Sequence, residues 1–366
     1  MALLALGGAS LLAGLDAGLV RAGVWAPVPS ERLGLAHGIV MVLGFLGTLI
    51  SLERAQSLGR SWALLAPATL AAGSLALILG APPVFGALLL AQGCAVFVVI
   101  YLVLWQRARA PVVAVESLAA VSALLAAVLW LVAPIPAIVC LLVTFVVLTI
   151  AAERTELAVL TMGVQAPARL LVLGSLLVLT SLLALAWPAG GLHAFGAALL
   201  AMTVWLVRDD VARRFIRASG LRRYSAAALL AGYGWLAVAG ATWLVVGVPV
   251  GPAYDVTVHA VFLGYAMSMV IAHAPIILPA VIGRALPYAR VSWVPLVMLH
   301  VGLLVRVAGD VISAAGAGEL VWQVGSVLTV LAVLVFVVVS FALVLMSSRP
   351  TSSRRPSPVV TARART

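Results

Sequence analysis

In the stretch VTVHAVFLGYAMSMVIAHAPIILPAVIGR, residues 256–284, two histidines interrupt an otherwise apolar run: His259 and His273. Imidazole changes charge near neutral pH and is the commonest metal ligand, so such a pair is a candidate for metal or proton chemistry. The remaining histidines are His37, in LAHGIVMVLGFLGTLISLERA, His193 and His300. Acids occupy similar apolar surroundings: Glu53 follows TLIS, and Glu153 and Glu156 fall in VLTIAAERTELAVL. Glu53, Glu153, Glu156 and His273 together would suit a metal ion or a proton relay; the competing reading pairs the acids with neighbouring arginines and water at the helix ends. Arg306 is a cation inside an apolar helix and needs a partner, which Asp310 offers four residues on. No nucleophile, base pair or open metal triad is visible, and these residues alone do not make the chain an enzyme.

The elements that position these groups are membrane helices. The 366 residues are 64% hydrophobic and 9% charged, with a mean hydropathy of +1.23, which excludes a water-soluble globule. Apolar runs of roughly 20 residues, enough to cross a bilayer, recur throughout. The expected helices are 2–24, 35–53, 62–80, 84–105, 114–133, 135–157, 168–187, 191–207, 225–247, 255–274, 291–313 and 320–346. They make one all-α transmembrane domain over 1–347, followed by a basic, Ser/Pro/Arg-rich tail over 348–366 expected to be disordered. The first segment carries Asp16 and lacks a basic leading region, so it reads as a helix rather than a signal peptide. Cys94 and Cys140 sit inside apolar helices, which argues against a disulfide framework.

The net charge of +11 comes from 22 arginines and no lysine. Nineteen of them fall on one side of the expected bundle, and the opposite loops GAPP, APIP, WPAGG and VPVGPAY carry none. This asymmetry predicts cytoplasmic termini in a plasma (inner) membrane and a bilayer, not a nucleic acid, as the partner. His37 and His259 then lie at one level near the outer side. Glu53 follows His37 by 16 residues and His273 follows His259 by 14, about 24 Å and 21 Å deeper at 1.5 Å per residue. The similarity of TLISLERA, LTIAAERT and MVIAHAPI suggests that helices two, six and ten are equivalent. A four-helix period over twelve helices predicts three arcs in a pseudo-threefold arrangement.

Twelve helices with AHGIVMVLGFLG, HAVFLGYAMSMVIAHA and HVGLLVRVAGD at helices two, ten and eleven resemble the NnrS-type membrane haem proteins and subunit I of the haem-copper oxidases. The topology covers the whole chain and the sequence likeness about a quarter of it. The resemblance implies that His37 and His259 are axial ligands of a low-spin haem b and that Arg306 meets a haem propionate. His300, about nine residues into helix eleven, is a costly polar group at midplane and reads as a second haem or metal ligand or as a structural hydrogen bond to a neighbouring helix. It implies electron-transfer or nitric oxide-related function, with a redox partner or another membrane subunit. The chain departs from the oxidases at helices six and seven, which lack the copper-ligand histidines, so copper and oxygen reduction at a binuclear centre are not expected.

Two other classes compete. A secondary transporter would use His273, His300 and Arg306 for a solute or protons. A non-catalytic assembly or sensor protein would use its 32 glycines as packing faces. A haem would show as visible absorption, which separates the first reading from both.

Overall fold

The computed structural model describes residues 2–284, 286–313 and 317–347; the expected tail over 348–366 lies outside them. Twelve helices are long and apolar enough to cross a membrane: α1 (Ala2–Arg21), α2 (Glu31–Leu58), α3 (Ser61–Ile78), α4 (Pro83–Ala108), α5 (Pro111–Leu129), α6 (Ile135–Leu157), α7 (Ala166–Ala186), α8 (Pro188–Asp209), α9 (Gly220–Val246), α10 (Pro252–Ile276), α11 (Arg290–Ser313) and α12 (Glu319–Ser347). The protein is an all-α polytopic membrane protein, and no strand occurs among the described residues.

Local chemistry sets the helix ends. Several helices start with proline in the first turn, where its missing N–H costs nothing, as at Pro83, Pro111 and Pro252. The second helix extends past the expected 35–53 at both ends. The Ser30 hydroxyl accepts the Leu33 N–H at 3.3 Å, and Gly59 closes the other end at φ +67°, a left-handed conformation that favours glycine. Pro275 and Pro279 do not break the tenth helix beside His273. Helical structure runs through both to Ile282 and ends at Gly283.

The packing follows a four-helix period. In each of three arcs the first helix touches the second and third, and the third touches the fourth; α4 against α5, α8 against α9 and α12 against α1 close the ring. The second helix of each arc lies innermost. The most apolar windows of α2, α6 and α10 are 67%, 78% and 72% buried, while no other helix exceeds 56%.

Two inner helices share a feature that hydropathy does not reveal. Each contains an eight-residue π-helical segment, Val40–Gly47 in α2 and Ala260–Met267 in α10. The shift that superposes these segments carries Gly44 onto Gly264, Thr48 onto Ser268 and Glu53 onto His273. At that level every arc has a polar link between helices. Ser10 Oγ meets Ser74 Oγ at 2.8 Å in the first arc, and Thr144 Oγ1 meets Ser181 Oγ at 2.9 Å in the second. In the third, Trp235 Nε1 donates to His300 Nδ1 at 3.0 Å. Such bonds between membrane helices contribute about 0.6 to 2 kcal/mol each.

Candidate functional site

At the end of the bundle opposite most of the arginines, α10 opens with Asp255 in its first turn and His259 one turn later. Asp255 is the hub. Its Oδ2 accepts Arg306 Nε at 2.7 Å and its Oδ1 accepts Arg306 Nη2 at 2.8 Å, a bidentate fork. Trp322 Nε1 also donates to Oδ2, at 3.2 Å. Arg306 Nη1 donates to Ser326 Oγ at 2.7 Å, and its guanidinium carbon lies 5.1 Å from the Trp322 ring centre. Gly325 allows α11 and α12 to come this close, because a Cβ there would lie 2.5 Å from Arg306 Cα.

Arg306 therefore pairs with Asp255 across two helices, and the expected intrahelical pair with Asp310 does not form. The reason is geometric: Asp255, at the start of α10, faces the guanidinium edge with both oxygens. Asp310 is buried, lies within hydrogen-bonding reach of the Asp255 carboxyl, and its Oδ2 has no hydrogen-bond partner.

His259 Nδ1 lies 3.0 Å from its own helix's Asp255 carbonyl oxygen and 3.1 Å from Asp255 Oδ1. Both are acceptors, so Nδ1 carries a proton, which in the neutral ring leaves the lone pair on Nε2. His37, in α2, repeats the arrangement: its Nδ1 lies 2.8 Å from Gly14 O of α1. Glycine at position 18 spares the ring a neighbour, since a Cβ there would sit 3.4 Å from His37 Cε1. The two imidazoles lie within electrostatic range of each other, and Arg306 within range of His37.

The other histidines are held within the protein. His300 accepts from Trp235 at Nδ1, which requires the proton on Nε2, 3.4 Å from Ser268 Oγ. With both ring nitrogens engaged, it is the polar link of the third arc. His193 Nδ1 meets Leu244 O at 2.7 Å. His273 donates from Nδ1 to Met269 O at 2.8 Å and accepts Arg154 Nη1 at Nε2, 3.2 Å away.

His273 thus belongs to an ionic network at the arginine-rich end. Arg154 forks onto Asp210 with two bonds of 2.9 Å, and the Tyr233 hydroxyl donates to the same carboxylate at 2.6 Å. Asp210 lies beyond α8. Burial alone would push its carboxyl up, but the Arg154 fork, the Tyr233 hydroxyl and the Ala212 N–H outweigh it and hold the group below its ordinary value. Arg54 occupies the position in α2 that Arg154 occupies in α6. It lies 3.0 Å from buried Glu116 and 3.7 Å from Glu156. The closer contact is poorly aligned, for Glu116 Oε1 and Arg54 Nε have no hydrogen-bond partner.

Glu53 and Glu153 lie within electrostatic range of each other and of Arg54. Among the described residues, however, no three His, Cys, Asp or Glu side chains are grouped as metal ligands would be. The network brings Glu53, Glu153, Glu156 and His273 to one end of the bundle but gives His273 an arginine as its neighbour. Each of these two arginines stands where two arcs meet. Arg54 faces Glu116 across the α4/α5 seam, and Arg154 with Asp210 faces Tyr233 across the α8/α9 seam.

Asp255, Trp322, Ser326, Glu116, Asp210 and Tyr233 were not singled out from the sequence. For Asp255 a signal existed, an acid one helical turn before a histidine at a helix start. Trp322 and Ser326 come from another helix and had none.

Among known families, the one described as "Domain of unknown function (DUF8744)" matches residues 1–345. No curated protein matches the chain.

Proposed function

The chain belongs to the DUF8744 family, a domain of unknown function, and we propose that it is a membrane haem protein holding one b-type haem between His37 of α2 and His259 of α10. One observation carries this reading. Two imidazoles from two inner helices each have Nδ1 anchored on a protein oxygen and Nε2 carrying a lone pair. A histidine that ligates iron needs this arrangement, because the second nitrogen's hydrogen bond fixes tautomer and ring orientation. The relation to the NnrS-type and haem-copper oxidase proteins enters on the same footing, supported by the three-arc packing of twelve helices.

A bis-histidine haem, when bound, supplies one-electron chemistry, which suits electron transfer or a nitric oxide-related role with a redox partner. The protein's own contribution is positioning. Arg306 fixes the Asp255 carboxylate, and Asp255 fixes His259. Each nitrogen of Arg306 already donates to a protein oxygen, so a propionate would use only its remaining N–H bonds. Helices α6 and α7 contain no histidine, and copper is not part of the proposal. The arginine-rich end is assigned to the cytoplasm of a plasma membrane.

The test is a reduced-minus-oxidised visible spectrum of protein purified from cells with ample haem. The parent is expected to show sharp low-spin b-type bands, lost in His37→Ala and in His259→Ala. Asp255→Asn, which keeps a carbonyl acceptor, is expected to retain haem but shift the bands or the midpoint potential. A colourless parent overturns the haem reading. It would favour a proton-linked transporter, for which the buried Asp310 carboxyl, beside Asp255 and with no hydrogen-bond partner at Oδ2, is the specific support.

A further inference from the structure

At the arginine-rich end, the groups around Arg54 leave negative charge uncompensated. Glu53 of α2, Glu116 of α5, and Glu153 and Glu156 of α6 all lie within electrostatic range of this one guanidinium. Arg154 is committed to Asp210 and, on α7, Arg169 to Asp209. Four carboxylates against one guanidinium repel one another strongly where little water screens them, and a proton on one of them relieves the excess.

The four differ in their access to water. Glu156 stands at the rim, 3.7 Å from Arg54, with 44% of its side chain exposed. Glu53 and Glu153 are partly buried. Glu116 is only 1% exposed, so an unbalanced charge costs most there.

Hydrogen bonding singles out the same residue. A carboxylate facing a guanidinium ordinarily takes two aligned N–H bonds, as Asp210 takes from Arg154 and Asp255 from Arg306. Glu116 Oε1 lies 3.0 Å from Arg54 Nη2 but, among the described residues, has no hydrogen-bond partner. Arg54 Nε is unpartnered too, and so is the hydroxyl of Tyr101 on α4, a side chain as deeply buried as Glu116. Tyr101 lies within electrostatic range of both Arg54 and Glu116. Three buried polar atoms on three helices thus face the α4/α5 seam without satisfying one another.

We propose that Glu116 is a proton-binding site, protonated in the resting protein and exchanging with water at the arginine-rich end. The proton removes one charge where burial is deepest and turns the carboxyl into a hydrogen-bond donor. Its gain or loss converts the Arg54–Glu116 contact between a neutral contact and an ion pair across the seam of the first and second arcs. The assignment does not rest on the haem, whose histidines lie toward the opposite end of their helices.

Infrared spectroscopy of the full chain in lipid films, in ordinary and heavy water at neutral pH, tests the site. In protein carrying glutamate isotopically labelled at its side-chain carboxyl, a protonated-carboxyl C=O band is expected to shift with the label, which separates it from Asp310. It should move to lower frequency in heavy water and vanish as the pH is raised. Glu116→Gln should lose that band, and Glu156→Gln should keep it. Because glutamine matches a protonated glutamate in shape, Glu116→Gln should also keep the parent's unfolding midpoint.

A parent without any protonated glutamate band overturns the proposal with no variant needed. Identical bands in the parent and in Glu116→Gln overturn it as well, as does a band that heavy water leaves in place. Misfolding of Glu116→Gln, or a large drop in its midpoint, would mark an ionised Glu116 that holds Arg54 and would overturn it in turn.

Discussion

A histidine becomes a dependable ligand when one nitrogen is committed and the other is available. By that measure His37 and His259 offer Nε2 from inner helices, whereas His273 and His300 use both nitrogens inside the protein; His193, whose Nδ1 meets Leu244 O, shares the first arrangement but stands on α8, outside the inner helices. The carboxylates separate in the same way. Asp210 has an arginine fork, a hydroxyl and a backbone donor, and its charged form is favoured in the folded state. Its folded value lies below the unfolded one, so the stability it contributes is present above the ordinary carboxylate value near 4 and is lost as pH falls through both values. The unfolding midpoint of the detergent-solubilised protein should hold steady above about pH 5 and fall as the pH drops below about 4. Asp210→Asn should be less stable at neutral pH, and its midpoint should fall less over that window. An equal acid fall in both proteins would remove Asp210 as the cause.

Among the elements, α2 and α10 carry the two ligand candidates and the two π-helical segments. A π segment widens the helix by one residue per turn and is common near functional sites. Glycine within it admits a neighbour: a Cβ on Gly264 would overlap the Trp235 ring, and one on Gly44 would overlap Ser74. Trp235 is the donor to His300, so packing and hydrogen bonding share one residue. Gly264→Val is therefore expected to push Trp235 away, break that bond and cost about 1–3 kcal/mol. A lowered unfolding midpoint with altered tryptophan emission would show it. An unchanged midpoint would mean that α9 yields to the added side chain. The likeness of helices two, six and ten was visible as a few residues each, but π geometry left no trace in hydropathy because apolar content is the same in either winding.

For the whole molecule, orientation is the next question. Cys94 and Cys140 are buried, so single cysteines on exposed loops report sidedness without removing either. Val132 and Val250 are 85% and 74% exposed, at the end opposite the arginines. Ser57 is exposed at the arginine-rich end. On intact cells a membrane-impermeant maleimide should label Val132→Cys and Val250→Cys and leave Ser57→Cys unlabelled until the cells are permeabilised. The reverse pattern would invert the assigned topology.

The sequence by itself determined that this is a membrane protein of twelve helices, and where each begins within a few residues. That information is local: an apolar run of bilayer length forms a helix whatever surrounds it, because lipid offers backbone groups no other partner. It also placed His37 and His259 toward the starts of their helices, since position along a helix is a count of residues. The tertiary structure alone decided which polar groups meet. Asp255 rather than Asp310 holds Arg306, and an arginine rather than a carboxylate faces His273. These pairings join helices far apart in the chain, and rotation about each helix axis, set by packing, decides which side chains come within hydrogen-bonding distance of one another.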